Sequence, residues 1–389
     1  MTHRSTFSSF LFLGIALFLF ACHSSRRAVN KLPVTSRDAV WSAERIDHLE
    51  KKLEHLREKY HIPGISAGVV NERQLAWKKG FGYANLENKT VPDENTVYQV
   101  ASVTKTFGSI ILMQQVQAGK VSLDDPISKY KINLGARWGS DPRIRVKHLL
   151  THTAAGSMFN SYKPGYVFRY NGSWYHELGK VIAQSSGHPF GELLMEQIIR
   201  PLSLKNTVPS TDDSLNFART GYNKDSFMRQ VARPYDWKNK QLQPVTFKYG
   251  FGPAAGIMSN VADLAVYSNA IDDRKFLADS TWEKVFTPYV NPKGKTIQYG
   301  LGWFVTYYKG LKVMWHTGWW TGYSALFVKI PQRDLTFIIL ANSQDLSRPF
   351  YHIVHPLPGI GMFNPFRRNL KKKLVASAFG AAFLDHFLE

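Results

Sequence analysis

From Gly300 onward the chain reads GWFVTYY, KVMWHTG, YSALFVKI and LTFIILAN, four apolar and aromatic runs separated by short turns and ending at Asn342. Runs of this length bounded by turn residues read as strands, and connections this short join antiparallel neighbours. Two more strands lie near the other end, Ile65–Val70 and Gln74–Tyr83, joined by the turn Asn71-Glu72-Arg73. Between the two groups the pattern is helical: Ser102–Gln117, stopped by Gly119, then Val146–Leu150, His176–Ser186, Phe190–Ile199, Ala262–Ala270 and Thr281–Phe286. Residues 206–250 are mixed and yield no clear element. Glu44–Tyr60 carries Ile46, Leu49, Leu53 and Leu56 at helical spacing, and Leu370–Leu388 reads as a closing helix. The expectation is an α+β fold, an αβα sandwich. Its antiparallel sheet is assembled from both ends of the chain and flanked by helices, with a helical insertion over roughly residues 105–290. No repeat recurs at a fixed period.

Apolar content of 44% and charged content of 20% are those of a globular chain of 389 residues. Lys and Arg outnumber Asp and Glu by 49 to 29, a balance that suits anionic partners. The basic residues are scattered and no nucleic-acid motif accompanies them, so nucleic acid is not expected as a partner. The N-terminus has one early Arg4 and an apolar run from Phe10 to Ala21, short for a membrane span and suited to the core of a secretory signal. The run ends at Leu19-Phe20-Ala21-Cys22, which resembles a bacterial lipoprotein box. Cys22 is the only cysteine, so no disulfide can form within one chain. The domain expectation is a signal peptide with its lipidation site over residues 1–22, a polar tether over 23–40 and one folded domain over 41–389. The mature protein would be exported and held by lipid on the periplasmic side of an inner or outer membrane.

QVASVTKTFGS (Gln99–Ser109) places Ser102 three residues before Lys105, where the helix begins. Residues at this spacing share one helix face. A serine hydroxyl needs a base before it attacks a carbonyl, and burial beside a helix N-terminus favours the neutral lysine that can take its proton. Small neighbours (Ala101, Thr104, Gly108, Ser109) allow close approach by other elements. The same spacing at Ser128–Lys131 reads only as a solvated helix end.

Ordered landmarks support Ser102. IPGISAGVV (Ile62–Val70), ASVTK (Ala101–Lys105), GKVSLDDPISKY (Gly119–Tyr130), VKHLLTHTAAG (Val146–Gly156), PGYVFRYNG (Pro164–Gly172), AAGIMSNVADLAVY (Ala254–Tyr267), YGLGW (Tyr299–Trp303) and HTG (His316–Gly318) follow one another. From about Arg45 to about Asn342 the chain resembles the serine β-lactamase-related family: class C β-lactamases, D-alanyl-D-alanine carboxypeptidases and related esterases. The resemblance implies a β-lactamase/transpeptidase-like fold. It implies Ser102 as acylated nucleophile, Lys105 as its base and Tyr170 as a partner in proton transfer. His316 takes the place of the lysine of a Lys-Thr-Gly motif and would donate a hydrogen bond to Tyr170 or to substrate. The backbone N–H groups of Ser102 and Trp319 would form the oxyanion hole. Asn171, Gly172, Thr317, Gly318, Trp319 and Trp320 would line the substrate site.

One position departs from the family pattern. Where Tyr-x-Asn would place its asparagine the chain has Gly172, and Asn171 comes one place early. In the family that asparagine holds the amide of a β-lactam or peptide, so esters gain ground as substrates. Trp319 and Trp320 read either as an aromatic acyl pocket or as core. Three other stretches offer rival signals. Gly64-Ile65-Ser66-Ala67-Gly68 matches a nucleophile elbow, but a strand rather than a helix follows it. His148 and His152 could face one metal, yet without a third ligand they read as capping and packing residues. Arg367–Lys373 is a solvated helix start or a contact with anionic lipid. The expectation is therefore a monomeric, membrane-anchored serine hydrolase acting on extracytoplasmic esters or amides, with no cofactor and no metal. The alternatives are a β-lactamase or carboxypeptidase, and a non-catalytic penicillin-binding-like scaffold.

Overall fold

The computed structural model describes residues 40–347 and 374–389, apart from 136–137, 156–162, 212–216, 218–220, 222 and 247–249. The late apolar runs and the early hairpin form one antiparallel sheet. Its strands are β1 (Gly64–Asn71), β2 (Gln74–Gly82), β3 (Phe304–Tyr308), β4 (Leu311–Trp320), β5 (Tyr323–Ile330) and β6 (Leu335–Ala341). Their order is β2-β1-β6-β5-β4-β3. The two ends of the chain meet where β1 pairs with β6, from Ile65 opposite Ala341 to Asn71 opposite Leu335. The β1–β2 turn puts Glu72 and Arg73 at φ of 50° and 63°, the left-handed pair that a two-residue hairpin needs to match strand twist.

Every residue of β5 and β6 is buried, which explains their unbroken apolar sequence: both faces of the sheet are covered. Leu326, Val328, Phe337 and Ile339 face one helical layer. Ala325, Phe327, Ile338 and Leu340 face the other. The first layer pairs α1 (Ala43–Lys59) with the C-terminal helix. Ser42 caps α1 by accepting from the Arg45 N–H, and Leu49, Leu53 and Leu56 turn inward. The second layer is the helical insertion: α2 (Thr104–Gln117), α3 (Val146–Leu150), α4 (Gly172–His176), α5 (Leu178–Ser186), α6 (Phe190–Leu194), α7 (Lys224–Gln230), α8 (Val261–Asp272) and α9 (Asp279–Val285). The αβα arrangement expected from the sequence is the one observed.

Several boundaries differ. The helix expected over His176–Ser186 is two, α4 and α5, meeting at Glu177. The one expected over Phe190–Ile199 passes from α6 into a π turn at Met195–Ile199. The closing helix expected over Leu370–Leu388 is, in its described part, a 3₁₀ turn at Leu374–Ala376 followed by α10 (Ala378–Leu388). Ser377 divides them: its backbone is extended and its hydroxyl accepts from the Gly380 N–H, so it opens a new helix. Leu374, Phe379, Ala382, Phe383, Leu384 and Phe387 all enter the core, so this apolar stretch is a packed face. No helix among the described residues is long and apolar enough to cross a membrane.

Phe383 stacks on Phe337 of β6, with ring centroids 4.8 Å apart and planes 4° from parallel. Phe383→Ala should lower unfolding free energy by about 3–5 kcal/mol through lost burial and the cavity left behind. Urea unfolding checks this. A loss under about 1 kcal/mol would show that the terminal helices do not support the sheet.

Candidate active site

The chain enters the site from a short pairing of Tyr98–Gln99 with Met258–Ser259. Ala101, at φ +48°, turns it sharply into the 3₁₀ turn Ala101–Val103 and then α2. Ser102 lies on that turn and Lys105 on the first turn of the helix. The Lys105 Nζ is 3.0 Å from the Ser102 Oγ and donates to the Ala254 carbonyl at 2.8 Å. That carbonyl gets close because residue 108 is glycine: a Cβ there would lie 2.6 Å from the Pro253 oxygen. Lys105 is 1% exposed. Its Nζ sits 5.1 Å from the ring centroid of Tyr170 and 5.2 Å from that of Tyr175, whose hydroxyl donates to the Lys105 carbonyl at 3.1 Å. Ring faces favour a cation, but the loss of water outweighs them, and burial lowers the Lys105 pKa to about 7.

Strand β4 packs against the 101–103 turn. Only glycine fits where they cross, since a Cβ on Gly318 would meet the Val100 oxygen at 2.3 Å. His316 lies one residue pair earlier on the same face, fully buried, with its ring centroid 6.2 Å from that of Tyr170. Its Nδ1–H must donate to the Thr317 carbonyl, 2.7 Å away, because a carbonyl only accepts. Nε2 is then left to accept from the Tyr299 hydroxyl at 3.0 Å. Burial and the nearby Lys105 push the His316 pKa down to about 3. This corrects an expectation from the sequence: neutral His316 has no proton left to give Tyr170. Tyr299, which sequence reasoning placed only in a framework stretch, is its real partner.

Thr317 is not brought to Ser102 by its side chain. Its hydroxyl donates to the Ala325 carbonyl at 3.1 Å and lies 2.7 Å from the Ser347 Oγ, fully buried. Alternation along β4 sends it to the opposite face from His316 and Gly318. Asn171 is also occupied: its side chain caps α4 by accepting from the Trp174 N–H at 3.1 Å. Gly172 stays near the chemistry: beyond its chain neighbours, the one heavy atom among the described residues within 4 Å of a Cβ there would be the Lys105 Nζ, at 4.0 Å. Trp319 and Trp320 are half-buried at the end of β4, with the Trp320 ring lying over Gly250.

The rival signals resolve into structure. Ser66 is buried in β1, donates to the Asp93 carbonyl at 2.6 Å and lies 2.9 Å from the Tyr98 hydroxyl. His148 caps α3, its Nδ1 accepting from the Arg145 N–H at 3.1 Å. Burial, Lys147 and Arg145 keep it neutral, with a pKa of about 4. His152 takes the Asn171 N–H on its own Nδ1 at 3.2 Å. Among the described residues no group of three or more His, Cys, Asp or Glu is placed to hold a metal ion. Lys131 ends a 3₁₀ turn in a left-handed conformation, exposed. Cys22, residues 23–39 of the tether and Arg367–Lys373 lie outside the described residues.

A serine and a buried lysine one turn apart, facing an antiparallel sheet across a helical insertion, define the serine β-lactamase and penicillin-binding protein class. The profile of the Beta-lactamase family matches residues 49–352, and the chain belongs to that family. Protein flp of Staphylococcus aureus (strain MW2) is 25% identical over 338 residues, covering 77% of this chain and 63% of its own length. The chain thus spans less than two thirds of that relative. Penicillin-binding protein 4* of Bacillus subtilis (strain 168) is 21% identical over 333 residues, covering 77% of this chain and 72% of its own. Among solved structures, the octameric penicillin-binding protein homologue from Pyrococcus abyssi superposes with a TM-score of 0.66 at 26% identity. That match covers 77% of this chain and 74% of the other.

The Lys105 pKa near 7 fixes a pH dependence. Protonated lysine cannot accept the serine proton, so reaction of Ser102 with a fluorophosphonate should rise as pH passes upward through about 7 and then level off. His316 and His148 stay neutral across that range and add no limb. A labelling rate that is flat between about pH 5 and 9 would remove Lys105 as the base.

Proposed function

We propose that this protein is an acyl-transferring serine hydrolase working through an acyl-enzyme on Ser102. One observation carries the reading: the buried Lys105 Nζ lies 3.0 Å from the Ser102 Oγ, with its pKa lowered to about 7 by burial. Neutral Lys105 takes the Ser102 proton, helped by the Tyr170 phenol beside it, as Oγ attacks the substrate carbonyl. Negative charge collects on the carbonyl oxygen, which the N–H groups of Ser102 and Trp319 receive. The C–O or C–N bond then breaks, and the leaving group departs with the proton from Lys105. Water activated by the same base attacks the acyl carbon, releasing the acid and regenerating Ser102.

The substrate class we favour is an ester on the extracytoplasmic side. Gly172 supports it: the position facing Lys105 carries no amide to hold a β-lactam or peptide. The penicillin-binding relatives favour the second reading, a β-lactam or cell-wall peptide as acyl donor. A non-catalytic scaffold is the reading from another class. Ser102→Ala should abolish both fluorophosphonate labelling and ester hydrolysis while leaving the melting temperature within a few degrees. An adduct that persists in this variant would sink the assignment. Faster acylation by a β-lactam than by any ester tested would move the substrate to the second reading.

We also propose that Cys22 carries the lipid anchor, on the strength of the apolar run and Leu19-Phe20-Ala21-Cys22 alone. Cys22→Ser should shift the protein from the membrane to the soluble fraction of a bacterial host. An unchanged distribution would show that something else holds it.

A further inference from the structure

The two backbone amides that flank Tyr170 both end on one residue. The Arg169 N–H donates to the His152 carbonyl at 2.7 Å, and the Asn171 N–H donates to the His152 Nδ1 at 3.2 Å. The His152 ring also packs on Tyr170 itself, with centroids 4.2 Å apart. We propose that His152 is the positioning residue for Tyr170, gripping the backbone on both sides of the phenol and backing its ring, so that the phenol stays beside Lys105. The inference rests on the reading of Tyr170 as a proton-transfer partner.

The local structure is built around this grip. His152 has a left-handed backbone, φ +54°, which a bulky side chain adopts only when its surroundings enforce it. Its own N–H donates to the Leu149 carbonyl at 3.3 Å, and the Thr153 N–H donates to the His148 carbonyl at 2.8 Å, so the turn is anchored to the end of α3. The ring is 3% exposed and enclosed by Phe168, Tyr170, Tyr175 and Tyr299. Because Nδ1 accepts, the proton of the neutral ring is on Nε2, which has no hydrogen-bond partner among the described residues. A buried donor left this way carries a desolvation cost that phenylalanine would avoid. Among the described residues the single polar bond of the ring is the one to Asn171. Burial first, then Lys105 and His316, hold the His152 pKa well below the usual histidine range, so Nδ1 keeps its lone pair at neutral pH.

The test uses the full chain and three variants. His152→Phe keeps the ring and removes the acceptor. His152→Asn puts an amide oxygen near the place of Nδ1 and tolerates the left-handed backbone. His152→Gln carries its oxygen one bond too far. The readouts are hydrogen exchange of the peptide holding Arg169–Asn171 and the rate of Ser102 labelling by a fluorophosphonate, resolved into limiting rate and half-saturating concentration. His152→Phe should lose amide protection at Asn171 and lower the limiting rate about tenfold or more, with half-saturation unchanged. His152→Asn should stay within about threefold of wild type, and Tyr170→Phe combined with His152→Phe should be no slower than Tyr170→Phe alone. Wild-type labelling by folded His152→Phe, or losses that multiply in the double variant, would overturn the proposal. If His152→Phe does not fold, the Asn and Gln variants decide: a rate about tenfold higher for Asn supports the grip, and equal rates refute it. If Tyr170→Phe labels at the wild-type rate, the role of Tyr170 fails instead. Unaltered exchange at Asn171 in His152→Phe, or in His152→Gln if the former does not fold, refutes the grip itself.

Discussion

Everything around Ser102 follows from keeping one ammonium group out of water. Lys105 is almost fully buried, and among the described residues its side chain meets a hydroxyl, a carbonyl and two aromatic faces but no carboxylate. An acidic partner would hold the lysine charged and spoil it as a base. The surroundings are therefore polar enough to place the nitrogen and not polar enough to hold its charge. Gly108 admits the Pro253 backbone beside α2, and Gly318 lets β4 cross close over the Val100 carbonyl at the turn that carries Ser102. The cost is borne by a large core, in which α2 is buried along most of its length.

The groups that meet here are far apart in sequence, and the αβα arrangement brings them together. Ser102 comes from the turn that leads into the helix backing the sheet, Lys105 from the first turn of that helix, Ala254 from the loop before α8, and His316 from β4 itself. The aromatic set of Phe168, Tyr170, Tyr175, Tyr299 and Phe304 fills the space between these elements. Imidazoles in that set stay neutral because the same dry space that suits a neutral lysine penalises imidazolium.

The strands were legible because their apolar runs were too short for helices and closed by turn residues, and both faces proved buried. Ser102 and Lys105 were legible from their spacing together with the ordered landmarks around them, since the same spacing recurs at Ser128–Lys131. Thr317 could have been read correctly: strict alternation puts it on the other face from His316, and a matching motif obscured that. Ser377 was a visible N-cap that should have split the closing helix. Other features lay beyond a linear reading. The proton on His316 is set by its own neighbouring carbonyl and by Tyr299, a contact between β4 and the segment before β3. His152 was read for what its spacing to His148 offered, whereas its work is done on residues 169 and 171, which only the fold brings near.

Pairing of β1 with β6 has a consequence for how such a molecule comes into being. The first strand finds its inner neighbour only when residues 335–341 exist, so the sheet cannot close during most of synthesis. The β1–β2 hairpin must wait with one edge unpaired while the whole helical layer is made. Contacts of such long sequence separation form slowly, because the intervening loop must be closed before any reward arrives. A chain cut short anywhere before β6 would therefore lose more than a strand: it would leave an open β edge able to join the same edge of another copy.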